Sequence, residues 1–255
     1  MALFVHEFGP VDGAPLLALH GLSGHGARFA DLARRLPDRR ILAPDLRGMG
    51  RSPIDPPWHL DRHLADLVAV LDRYELGAVP VLGHSLGGVL GLRLAGVAPE
   101  RVTRLLLLDP GTGMPVERAL AAADRMMIDV SYPDRAAARA DRIAQGWAGL
   151  PAELVEAELD AHLVRRDDGS WGWRYYRPAL IGLIGELAGP VPLPPAGTPT
   201  LLVASDRSGV VAPEWRRRCR ERLAELLTVV ELDCGHLVYY ERPSETTAAV
   251  TGALT

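Results

Sequence analysis

The sequence predicts an α/β fold: a mostly parallel central sheet flanked by helices, interrupted by one mainly helical insertion. Three observations predict it. Short apolar runs such as LLLLD and TLLVA do not alternate with polar residues, as expected of strands buried on both faces. Longer helical patterns separate those runs, the arrangement that gives a parallel sheet covered on both sides. The rhythm then stops between Gly111 and about Leu187, where helical patterns follow one another without a clear buried strand.

In order along the chain, Leu3–Phe8 is a candidate antiparallel edge strand. Leu16–Leu19, Ile41–Ala43, Val79–Leu82, Arg104–Leu108, Thr200–Ala204 and Thr228–Leu232 read as the buried strands. Helices are expected at Ala27–Leu36, Leu60–Leu76, Leu86–Ala95, Pro213–Leu227 and Ser244–Leu254. Inside the insertion, helical patterns cover Val116–Asp129, Asp134–Gly149 and Pro151–Leu163; RRDDGS makes a turn, and WGWRYYRPALIGLIGEL follows. Pro and Gly at 189–199 mark the return to the core. The expected organisation is therefore a core formed by 1–110 and 190–255 and a cap at 111–189. Ligands in such folds sit outside the carboxyl ends of the strands, so the cap is expected to roof a pocket as well as add packing.

Composition narrows the function classes. The chain has 255 residues, is 48% hydrophobic and carries a formal net charge of −4. That balance argues against nucleic-acid binding, and the RRR at 216–218 is flanked by acids as on a solvated helix face. Two cysteines, Cys219 and Cys234, are too few for a disulfide framework and are not spaced like a zinc site. MALFVHEFGP lacks the pattern of a signal peptide, and no stretch is long and apolar enough for a membrane span. A cytoplasmic monomer or weak homo-oligomer is expected.

The chemistry centres on VPVLGHSLGGVLGLRLAG, which reads as strand, sharp turn, helix. Gly83 and Gly87 flank Ser85 at two residues on either side, where small residues permit a strained turn. The turn exposes the Ser85 hydroxyl at a helix N-terminus, whose unpaired amides suit a developing oxyanion. A purely structural turn with an inert serine is the plain alternative. A serine hydroxyl needs a base, and His236 in LDCGHLVYYERP follows the last strand onto the same sheet edge. His84 adjoins Ser85 but points elsewhere if the serine occupies the apex.

These stretches together strongly resemble the α/β-hydrolase fold family, in its serine-nucleophile esterase and lipase-like branch with a helical cap. ALHGLSG at 18–24 resembles the oxyanion loop, PDLRGMGRS at 44–52 the fourth-strand loop, GHSLGG the nucleophile elbow and CGHLVYYERP the histidine loop. The resemblance implies an oxyanion hole from the backbone amides of Leu22 and Leu86, with His20 supporting the loop. A serine at the elbow disfavours the branches that attack with a carboxylate. It favours a carboxylic ester of a small or medium apolar acyl substrate; lactones, thioesters and carbon–carbon bonds are the alternatives, and a non-catalytic small-ligand receptor is a further one. The expected reaction needs no cofactor or metal.

The sequence departs from the family pattern at the acid. TPTLLVASDRSGVV puts Ser208 where the carboxylate is usual, and Asp206 two residues earlier. Asp109 ends the run LLLL, on the same rim, and LDPG resembles the acid segment of pancreatic-type lipases of this fold. Asp109 is the preferred acid and Asp206 the alternative; an incomplete triad stays open. For the pocket, Met126, Met127, Trp147, Trp173 and Tyr176 are candidate lining residues, their alternative being packing of the cap onto the core. Arg174 and Arg177 are candidates for an acidic substrate group or for plain solvent exposure.

Overall fold

The computed structural model describes all of residues 1–255. Seven strands form the main sheet: β1 (Val5–Phe8), β2 (Ala14–Leu19), β3 (Arg39–Pro44), β4 (Val79–His84), β5 (Val102–Leu108), and, later in the chain, Thr200–Ser205 and Leu227–Leu232. Between β5 and Thr200 a separate two-stranded hairpin forms from β6 (Leu163–Arg165) and β7 (Trp171–Trp173), so the last two strands of the main sheet are β8 and β9. The sheet order is β1-β3-β2-β4-β5-β8-β9. Only β1 is antiparallel, pairing Val5 with Pro44 and Phe8 with Ile41.

The apolar runs fail to alternate because both faces of the sheet are buried. Leu17, Leu19, Leu42, Val81, Leu105, Leu107 and Leu202 pack into one core, with α2 (Leu60–Arg73), α3 (Leu86–Val97) and the helix Pro213–Leu223 against them. Leu16, Ala18, Ile41, Ala43, Leu82, Leu106, Leu108 and Val203 pack into the other, covered by α1 (Ala30–Arg34) and by the C-terminal helix Pro243–Leu254. Successive strand residues thus serve opposite cores, the period-two consequence of the pleat. Each fully buried leucine contributes about 1.5–3 kcal/mol relative to exposure, so a strand such as LLLL is held from both sides.

Between β5 and β8 the chain builds α4 (Val116–Met127), α5 (Arg135–Arg142), α6 (Ala152–His162) and α7 (Arg177–Leu187), with α4 packed on α7. Two expectations change here. The segment is not wholly helical: RRDDGS is the turn of the β6–β7 hairpin, and WGW is its second strand. The pattern Asp134–Gly149 is not one helix either: α5 stops at Arg142 and the chain passes through a π-turn, Ile143–Trp147, in which Gly146 takes φ 99°. That left-handed conformation suits glycine and ends the helix. Backbone bonds tie the inserted segment to the loop after β3: Tyr176 N–H donates to Gly48 O (2.7 Å), and Gly50 N–H to Arg174 O (2.7 Å). No helix is long and apolar enough to cross a membrane.

Candidate active site

Ser85 caps α3 with φ 54° and ψ −116°, a conformation that costs a non-glycine residue on the order of 1–3 kcal/mol. The two flanking glycines make it possible. A Cβ on Gly83 would stand 2.3 Å from Gly87 O, and one on Gly87 would stand 2.0 Å from Leu19 O. The elbow is held by Ser85 N–H donating to Leu108 O (3.2 Å), and by Ser85 O accepting from the N–H groups of Gly88 (3.0 Å) and Gly111 (3.2 Å).

Across from the elbow, His236 Nδ1 donates to Asp109 Oδ2 at 2.6 Å. Asp109 is fully buried and takes φ 44°, and its second oxygen accepts Ser205 N–H at 3.0 Å. The bond to Nδ1 leaves Nε2 of His236 as the free basic nitrogen. Ser85 and His236 line one cavity of ≈ 240 Å³ together with Gly21, Leu22, Met114 and Leu187. No hydrogen bond joins the Ser85 hydroxyl to the imidazole; such contacts are commonly loose until substrate binds.

Asp206 lies apart from this pair. Its side chain is 50% exposed, and its Oδ1 accepts Cys234 N–H at 3.2 Å, bracing the loops after β8 and β9. Ser208 Oγ accepts Val210 N–H within its own turn. The amide of Leu22 bonds to no backbone acceptor, and the amide of Leu86 is the first of α3, where no intrahelical partner exists. Both are therefore free to donate.

Buried histidines support these loops. His20 Nδ1 donates to Gly21 O (2.8 Å), and its Nε2 accepts Leu46 N–H (2.9 Å), fixing the turn that carries Leu22. Burial pushes this imidazole down to about 3, so it is neutral and no base. His84 Nε2 donates to His236 O (2.9 Å), which holds the histidine loop from beneath; burial holds its pKa well below the usual range. Glu241 accepts the N–H groups of Gly235 (2.6 Å) and Leu237 (3.3 Å) in the same loop. A second anchor is Glu158 of α6, almost fully buried. It accepts Arg28 Nε (3.0 Å), Arg28 Nη2 (2.6 Å) and His25 Nε2 (2.9 Å), clamping the insertion to the loop after β2. Nothing local in the sequence marks His84, Glu158 or Arg28 for these tasks, since each acts across a long stretch of chain.

No metal-ligand spacing is visible in the sequence, yet folding gathers His6, His25 and Asp45 so that one ligand atom from each lies within 4.8 Å of the others. Asp45 already accepts His6 Nε2 (3.0 Å), Gly26 N–H (2.7 Å) and Arg51 N–H (2.8 Å). These bonds tie the 44–52 loop to β1 and to the segment after β2, and the cluster is accounted for as a strut.

The five candidate pocket residues stand elsewhere: none lines the Ser85 cavity. Met127 is 71% exposed. Tyr176 is half-exposed against Trp58, with ring centroids 5.5 Å apart. Trp147 is buried against Tyr240, with Arg28 over its ring at 5.4 Å. Met126 and Trp173 border a different cavity under the cap. For the two methionines the cause is position along α4. Met114, just before α4, and Arg118 in its first turn line the Ser85 cavity, while Met126 and Met127 in its last turn do not.

The buried imidazoles make stability pH-dependent. Burial lowers His20 to about 3, His63 to about 4, and His84 and His162 well below 6.5. The unfolded chain takes up these protons near pH 6.5 and the folded one does not. Their contribution is complete above 6.5 and is lost as pH falls from there toward the folded values. At pH 5.5 each imidazole costs about 1.4 kcal/mol. The urea midpoint is expected to fall clearly between pH 7 and pH 5.5; an unchanged midpoint would show these rings to be solvated.

With this geometry in place, the chain was compared with known proteins. A model described as the Alpha/beta hydrolase family matches residues 16–250. The chain belongs to that family. This hydrolase is 38% identical over 254 residues to "Lipase LipV" of Mycobacterium tuberculosis (strain ATCC 25618 / H37Rv), covering 99% of this chain and 97% of that one. It is 26% identical over 241 residues to "Esterase YbfF" of Escherichia coli (strain K12), covering 94% and 92%. Among solved structures, E-2-(Acetamidomethylene)succinate Hydrolase superposes with a TM-score of 0.87 at 22% identity, over 99% of this chain and 94% of that one. That likeness speaks to the fold alone.

Proposed function

We propose that this family member is a serine hydrolase that cleaves a carboxylic ester through an acyl-enzyme, with Ser85 as nucleophile, His236 as base and Asp109 as acid. The reading is carried by one observation: the 2.6 Å bond from His236 Nδ1 to Asp109 beside the same small cavity that holds Ser85. In the first step Ser85 Oγ attacks the ester carbonyl and His236 Nε2 takes its proton. The amides of Leu22 and Leu86 stabilise the tetrahedral oxyanion. His236 then protonates the departing alcohol. Water, deprotonated by the same imidazole, releases the acid and restores the serine. None of these steps calls for a metal or an organic cofactor. Residues 111–189 act as the cap over this chemistry.

The names of the lipase and esterase relatives support an ester over a lactone, thioester or carbon–carbon bond. A cavity of ≈ 240 Å³ with Leu22, Met114 and Leu187 in its wall supports a small or medium apolar acyl group. Two buried free thiols, Cys219 and Cys234, support a reducing, cytoplasmic setting, in which the enzyme works as a monomer or weak homo-oligomer. The test is hydrolysis of 4-nitrophenyl acetate before and after treatment with a fluorophosphonate. Stoichiometric labelling of the peptide that carries Ser85, with loss of turnover in proportion, is expected. Turnover that survives complete labelling would overturn the proposal.

A further inference from the structure

The cavity beside the active site is lined with uncompensated positive charge. Of ≈ 490 Å³, it is bordered by Arg125, Arg142, Arg166 and Arg177 against one carboxylate, Asp129. Asp129 is shared by Arg166 (3.1 Å) and Arg177 (3.4 Å), while Arg125 has no acidic partner. Arg142 is the decisive residue. Its side chain is 7% exposed, it makes no hydrogen bond, and its nearest carboxylate oxygen is Glu158 Oε1 at 3.5 Å from Nη2. That carboxylate already takes two hydrogen bonds from Arg28 and one from His25. Asp141, next in sequence, is turned to the Tyr132 hydroxyl and to Gln145 Nε2. Two buried guanidiniums therefore share one buried carboxylate, and Arg142 is the one left over.

The surroundings of Arg142 hold it without satisfying it. Its guanidinium carbon lies 3.9 Å from the Trp173 ring centroid and 5.7 Å from that of Trp147. Those contacts are cation–π contacts and satisfy no N–H group. Its N–H groups lie within the guanidinium plane, and a buried N–H of this kind is ordinarily paired. Nε and Nη2 are its buried nitrogens without a hydrogen-bond partner, and a guanidinium beside a cavity is suited to pairing with a carboxylate. Burial also lowers the Arg142 pKa, the direction expected of a cation lacking its counter-ion.

The cavity is placed to receive part of a substrate. Leu22 borders the Ser85 cavity, and the next residue, Ser23, borders this one. Helix α4 likewise gives Arg118 to the first and Arg125 to the second, two turns or about 10 Å apart. We infer that this cavity is an anion subsite, and that the preferred ester carries a free carboxylate at the end remote from the scissile bond. The inference rests on the serine-hydrolase reading for its second half only.

The experiment uses 4-nitrophenyl monoesters of the diacids from glutaric to azelaic, each compared with its methyl-capped form. The free acid is expected to exceed the capped ester in kcat/KM by about tenfold or more at the best chain length. That ratio is expected to collapse in Arg142→Met and to fall in Arg125→Gln, a variant at an exposed position where folding is not at stake. In parallel, binding of the matching free diacid and of inorganic phosphate to Ser85→Ala is followed by calorimetry. Diacid binding that disappears with Arg142→Met supports the subsite even if no ester is turned over, which separates its failure from failure of the serine reading. Phosphate binding as tight as the diacid, with a free-to-capped ratio near one, would assign the cavity to a free anion and overturn the substrate claim. No binding and a ratio near one would overturn the subsite altogether.

Discussion

Ser85→Ala is expected to lower kcat for an activated ester by about 10⁶-fold while leaving stability within about 0.5 kcal/mol. The size follows from the division of labour. Without the hydroxyl no acyl-enzyme forms, and the His236–Asp109 pair has no proton to accept. What survives is the catalysis that free amides at Leu22 and Leu86 give to direct attack by water. The stability term is small because alanine keeps the Cβ, so the strained φ of 54° at the elbow is neither relieved nor worsened. Neighbouring bonds at the elbow are all backbone bonds, Ser85 N–H to Leu108 O among them, and survive the change. The measurement is kcat on 4-nitrophenyl acetate with a urea titration of the same preparation. A residual rate within tenfold of the parent would remove Ser85 from the mechanism.

The fold was legible because its signals are local. A strand buried on both faces must be apolar throughout, so LLLL and TLLVA announce themselves. A strand–Gly-x-Ser-x-Gly–helix step leaves a fixed glycine spacing, since a Cβ at Gly83 or Gly87 would collide with backbone. The hairpin of β6 and β7 was not, because strands of three residues carry too little periodicity to outweigh the helical patterns around them. The π-turn after Arg142 left only one glycine as its mark. None of the five candidate pocket residues lines the Ser85 cavity, because aromatic and methionine content does not say where under the cap a side chain falls. The same side chains that suit a substrate wall also suit the packing under a cap, the role Trp147 takes against Tyr240, while Met126 and Trp173 border the cavity under the cap. The anion cavity was out of reach for another reason: it depends on how many arginines share Glu158, which only the folded chain reveals. Of the four arginines that border this space, only Arg177 has a sequence context, beside the aromatic run WGWRYY, that suggests a substrate contact.

The choice of acid shows how a few hydrogen bonds decide what residue types leave open. Asp109 and Asp206 end adjacent parallel strands, so either carboxylate starts near the histidine loop. The path after β8 separates them. Ser205 Oγ donates to Cys234 O (2.5 Å) and accepts the N–H groups of Arg207 (3.2 Å) and Ser208 (3.0 Å), winding the turn tightly around itself. Asp206 is left facing the Cys234 amide and solvent, while Ser205 N–H is presented to Asp109. Asp109→Asn is accordingly expected to reduce kcat by about 10⁴-fold. Ser205 N–H requires an acceptor, so the new amide oxygen turns toward it and the NH₂ group faces His236 Nδ1. That nitrogen must then accept, the proton moves to Nε2, and the imidazole can no longer take the Ser85 proton. Asp206→Asn keeps an acceptor for Cys234 N–H at a half-exposed position and is expected to stay within about threefold of the parent, since surface changes of this kind shift free energies by only ~0.5 kcal/mol. Both variants are assayed as kcat against pH on one ester. A large loss in Asp206→Asn with a small one in Asp109→Asn would transfer the acid to the β8 loop and require that loop to rearrange when substrate binds.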